Sequence, residues 1–93
     1  MNDIDFTALL HETAHREAPR VFALVEEYER QEVRVAGYGL AYGDRAESNS
    51  VEGDFRLLSD CPDNARALYE ASGRGVRRVH LVWLATRTPD EHP

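Results

Sequence analysis

Hydrophobic residues return along the chain at two different spacings. In residues 3–16, Phe6, Leu9, Leu10 and Thr13 fall on one stripe at helical spacing, which predicts a first helix with one apolar side. Asp3 and Asp5 lie where acids stabilise a helix N-terminus. Pro19 lacks the backbone N–H that a continuing helix needs, so the helix stops before it. Residues 20–32 fit two patterns. Val21, Leu24, Val25 and Tyr28 would share a helix face, whereas Val21-Phe22-Ala23-Leu24-Val25 also reads as a short buried strand. The strand is preferred, and it makes Glu29 to Glu32 a polar hairpin turn without a glycine.

Residues 33–43 alternate. Ala36, Tyr38, Leu40 and Tyr42 fall on one face, and Gly37, Gly39, Ala41 and Gly43 on the other. The bare face admits close approach by another part of the molecule. Asp44 to Asp54 is polar and predicts a loop with a turn at Gly53-Asp54, followed by a strand through Phe55-Arg56-Leu57-Leu58. Ser59 and Asp60 are cap candidates for a second helix, with Pro62 in its first turn and Gly73 at its end. Ala65, Leu68 and Tyr69 line its apolar side. From Val79 to Ala85 both faces are apolar apart from His80, which predicts a central strand covered on both sides.

The expected fold is α+β. It is a small single domain over residues 1–86, with a mostly antiparallel sheet of three or four strands and two helices, in the order αβββαβ. A helical 20–32 would add a third helix and give ααββαβ. Residues 87–93 are expected to form a disordered tail.

Composition narrows the functional classes. A folded chain of 93 residues exposes about 5,500 Å² of the roughly 15,400 Å² it presents unfolded. That suffices for a small core but leaves little room for a deep active site. There are 17 acids and 11 bases, a net charge of −6, so the chain is a poor ligand for a phosphate backbone and no direct nucleic-acid binding is expected. No apolar run approaches the ~18 residues that span a bilayer, so no membrane contact is expected. Cys61 is the one cysteine, which excludes an internal disulfide, and the acidic N-terminus lacks the features of a signal peptide. Both point to the cytoplasm. All the bases are arginine, as in proteins from GC-rich genomes.

One catalytic pattern is present. His11-Glu12-Thr13-Ala14-His15 matches H-E-x-x-H, in which two histidines one helical turn apart ligate zinc and the glutamate activates the bound water. Composition alone yields such a match in roughly 2% of chains like this one. His11 and His15 lie opposite the Phe6–Leu10 stripe, facing solvent, and no third ligand follows at zincin spacing. Only ten residues precede the motif, too few for a substrate-binding sheet. The match is therefore read as accidental, with no metal or cofactor expected. A metal-dependent hydrolase using His11, Glu12 and His15 remains the enzymatic alternative.

Other features have plainer readings. Cys61 is taken as an ordinary free thiol, and Gly37 to Gly43 as a smooth strand rather than a nucleotide loop, because no G-x-G-x-x-G spacing is present. Arg74, Arg77 and Arg78 form the basic cluster and read as a solvated turn, and His80 as a hydrogen-bonded histidine. Glu26, Glu27, Glu29 and Glu32 form an acidic stretch that could dock a basic partner such as a DNA-binding protein. Two helices cover a sheet thinly, so a homodimer is expected, with Tyr38, Leu40, Tyr42 and Trp83 as interface candidates.

The segments Val35-Ala36-Gly37-Tyr38-Gly39-Leu40-Ala41 and Val79-His80-Leu81-Val82-Trp83-Leu84 resemble those of small actinobacterial regulators of the BldB/AbaA-like kind. The resemblance spans roughly residues 20–85 and carries no site residue across. It implies a non-enzymatic developmental regulator, often dimeric, acting with a helix-turn-helix DNA-binding protein. An immunity or antitoxin-type partner protein is the second non-enzymatic alternative.

Overall fold

The computed structural model describes residues 2–85. Helix α1 (Asp3–Glu17) comes first. Strands β1 (Arg20–Glu27), β2 (Val33–Ala41), β3 (Ala46–Ser50) and β4 (Arg56–Ser59) follow, then helix α2 (Pro62–Ser72) and strand β5 (Arg78–Trp83). The five strands form one antiparallel sheet in the order β4-β3-β2-β1-β5. The α+β class and the two helices match the sequence reading. The strand count does not: β3 lies inside the stretch expected to be a loop, so the order becomes αββββαβ. The expected tail, 87–93, lies outside the described residues.

Residues 20–27 are strand, not helix, because Phe22 and Leu24 point into the core and are fully buried there. The β1–β2 turn runs Glu29-Arg30-Gln31-Glu32, with Arg30 and Gln31 both left-handed at φ 63° and 60°. Two such residues twist a hairpin in the sense its strands require, a geometry usually given to Asn-Gly. Opposite Leu24–Val25 the register slips, and Ala36 is left over as a bulge. It packs against the core instead of joining the Tyr38 face.

Helix α2 covers one sheet face. Ala65 and Tyr69 on α2 enclose Phe22, Leu24, Ala46 and Val79. Its N-cap position is held by Cys61, without a side-chain capping bond, rather than by the expected Ser59 or Asp60. The Ser59 hydroxyl donates instead to the Cys61 carbonyl at 2.9 Å. The bare side of β2 turns toward α2. Phe22 lies across from Gly39 in register, and its ring occupies the space a Gly39 side chain would fill. A β-carbon on Gly37 would come within 2.5 Å of the Asn49 carbonyl and 3.0 Å of the Tyr69 hydroxyl. The smooth face of β2 therefore accommodates an aromatic ring and a helix side chain from within the same chain.

The closing strand departs from expectation. Among the described residues β5 pairs only with β1 and forms a sheet edge. Val79 is buried under α2, whereas Val82 on the other face is exposed. Its apolar character on both sides reflects one covered face and one open face.

Candidate interaction surface

Register decides which side chains share the open face. Val21 lies across from Leu40, and Ala23 lies between Tyr38 and Val82. Leu84 extends the row, its N–H donating to the Val21 carbonyl at 3.0 Å. Val21, Tyr38, Leu40, Val82 and Leu84 are all exposed, and among the described residues no helix covers them. They present roughly 400 Å² of mostly apolar surface, the size of the largest patch on a typical small protein, which is often functional. Glu47 and Asn49 on β3 bound it on one side, with Leu58 and Arg56 beyond them on β4. At its far end His80 Nε2 donates to Glu27 Oε1 at 2.7 Å. That hydrogen bond, opposed by desolvation and assisted by the charge of His80 and then of Arg77 and Arg78, holds the Glu27 carboxyl below the usual glutamate range.

The second exposed apolar surface is α1. Asn2 caps it, its side-chain oxygen accepting from the Asp5 N–H at 2.8 Å. None of its residues is buried, and it packs on no strand of its own chain. Phe6 and Leu10 are 52% and 53% exposed, and with Leu9 they form a stripe along one side. His11, Ile4 and His15 occupy the opposite side at 3.6 residues per turn. The His15 ring is tied to its own helix, Nδ1–H donating to the His11 carbonyl at 2.8 Å. Among the described residues, no three His, Cys, Asp or Glu side chains converge on one point.

The sequence-selected residues separate in space. Tyr38 and Leu40 lie together on the open face. Tyr42 sits beyond β2 in the turn, its ring under the Arg45 guanidinium at 4.1 Å. Trp83 is on the α2 side, edge-on to Phe22 at 5.8 Å and beneath Arg20 at 4.1 Å. The four glutamates do not form one edge. Glu26 accepts from the Tyr28 hydroxyl at 2.9 Å, and Glu27 is committed to His80. Glu29 and Glu32 remain exposed on the β1–β2 turn. Arg77 and Arg78 flank Glu27, whereas Arg74 borders a different cleft. Cys61 is half-buried.

That cleft, about 500 Å³, opens between the C-terminal half of α2, the start of β2 and the loop that joins β3 to β4. Arg34 and Arg74 line it together with Glu26, Glu52 and Asp54. Arg34 is occupied by the Tyr28 hydroxyl at 3.1 Å. Walls of both signs select no one class of ligand. Among the described residues no helix is long and apolar enough to cross a membrane.

Against protein-family profiles, curated proteins and solved structures, the chain matches none. Sequence reasoning found Tyr38 and Leu40 but not Val21, Val82 and Leu84. The missing signal was strand pairing: once β1 lies between β2 and β5, these residues fall into register with the two that alternation had found.

Proposed function

We propose that this chain is a small regulatory module that acts in the cytosol by binding other protein chains, as a homodimer, on a DNA-binding partner. The observation that carries the reading is the uncovered apolar sheet face. A surface of aliphatic and aromatic side chains, bounded by polar residues, is suited to another protein rather than to a polar metabolite. The net charge of −6 and the exposed Glu29 and Glu32 suit a basic partner. The role is the one the resemblance to BldB/AbaA-like regulators implies. The test is capture of partners on the intact protein and on a Glu29→Arg, Glu32→Arg variant, at about 0.1 M and 0.5 M salt. The expected result is a basic DNA-binding protein retained by the native chain at low salt and lost in the other conditions. Retention unchanged by the charge reversal and by salt would overturn the reading.

A further inference from the structure

We propose that the open sheet face is covered by helix α1 of a second copy, each protomer of a two-fold dimer lending its helix to the other. The inference rests on the reading of that face as a protein interface and identifies its occupant. Among the described residues two extended apolar surfaces are unpartnered, and they have complementary forms: a helix stripe of Phe6, Leu9 and Leu10, and a sheet patch of Val21, Tyr38, Leu40, Val82 and Leu84.

The link between them keeps the helix off its own sheet. Only Ala18 and Pro19 separate α1 from β1. Ala18 is extended at φ −64°, ψ 136°, as the residue before a proline prefers. Proline fixes the next φ. A stiff extended dipeptide does not turn the helix back over the strand that follows it, so the helix projects away from its own sheet. The helix itself calls for a partner. At 15 residues an isolated helix is marginal in water, and helices of this length are stabilised mainly by packing their apolar side.

The areas close. The helix stripe presents about 300 Å² and the sheet patch about 400 Å², so two reciprocal contacts bury at most about 1,400 Å² from these residues, which reaches the range of stable interfaces. A two-fold exchange uses both surfaces of both copies and leaves no open end.

The test is mass by light scattering on the full chain at tens of micromolar, for the native protein, Phe6→Asp/Leu10→Asp and Leu40→Asp. The helix variant cannot unfold the sheet, because α1 packs on none of it; circular dichroism confirms the fold of the other. The expected results are a native dimer, two monomeric variants, and partial recovery of dimer when the variants are mixed, since one helix-on-sheet contact is then intact. A native monomer overturns the proposal. So does a dimer that survives the helix variant, which would pair sheet on sheet, or one that survives Leu40→Asp, which would pair helix on helix. Mass rising beyond two copies overturns the closed exchange. A native monomer whose partner capture still depends on Glu29 and Glu32 would sink the exchange and the homodimer, and leave the docking of a basic partner standing.

Discussion

Gly39→Ala would drive a methyl group into the ring of Phe22. The added carbon would lie 2.7 Å from both Cε1 and Cε2, with Cζ nearer still. The ring has little room to retreat. It is fully buried and packs edge-on against Trp83. Overpacking of this kind costs about 1–3 kcal/mol, and the lower chain entropy of alanine in the unfolded state returns about 0.4–1 kcal/mol. The net expectation is a loss of about 1–2 kcal/mol, which lowers the urea midpoint by about 1 M at an m-value near 1–1.5 kcal/mol/M. Trp83 fluorescence is the natural readout, because its indole touches the displaced ring. The decisive comparison is Phe22→Leu/Gly39→Ala. Leucine lacks the ring's far end and so makes room for the methyl group. The pair should be more stable than the sum of the single losses predicts, by at least about 0.5 kcal/mol. All four proteins need matched concentrations, since association would shift their midpoints. An unchanged midpoint for Gly39→Ala, or strict additivity in the pair, would refute the packing argument.

Acid should weaken the Glu27–His80 bond. Glu27 titrates below its usual value of 4.5 in the folded protein, so its contribution is present above that value and is lost as pH falls through the folded one. Glu27→Gln should therefore flatten the stability profile below about pH 4.5, read as urea midpoints between pH 3 and 7; an acid limb unchanged by the substitution would contradict this. The Tyr69 and Ser48 hydroxyls are both buried and face one another without a bond of good hydrogen-bond geometry; burial raises the Tyr69 pKa, and the nearby Ser48 hydroxyl opposes the rise. Removing both, as Tyr69→Phe/Ser48→Ala, should change stability by less than about 1 kcal/mol; a larger loss in thermal melts would show that the hydroxyls are paired. If α1 folds on its neighbour, dilution should melt it, and α1 holds more than half of the residues in the two helices. Ellipticity at 222 nm that stays constant from tens of micromolar to well below the dissociation constant would contradict this.

The sequence was most legible where one side chain decides one local geometry. Pro19, Pro62 and Gly73 bounded both helices, because each limits what the backbone can do. Alternation placed Tyr38 and Leu40 on one face of β2 for the same local reason. What depends on neighbours was harder to read. Ala46-Glu47-Ser48-Asn49-Ser50 lacks large apolar residues, yet it is a strand held between β2 and β4. Ala46 and Ser48 are fully buried, and small side chains are what the space beneath α2 accepts. The signal was a two-residue alternation in size rather than in hydropathy. For β5, a covered face and an open apolar one look alike in sequence. Trp83 and Tyr38 are both interface candidates by sequence, and only the pairing of Trp83 with Phe22 shows that the two lie on opposite sides of the sheet.

The β1–β2 turn bears on the order in which the chain folds. Arg30 and Gln31 adopt left-handed angles that cost L-residues roughly 1–2 kcal/mol each. The hairpin therefore gains little from its own turn and gains stability when β5 and α2 pack against β1. Local preference opposes the final structure at this one place, so the two middle strands of the chain's best-buried region are poorly placed to nucleate it. A chain carrying Asn-Gly there would be expected to refold faster, with both sheet faces left as they are.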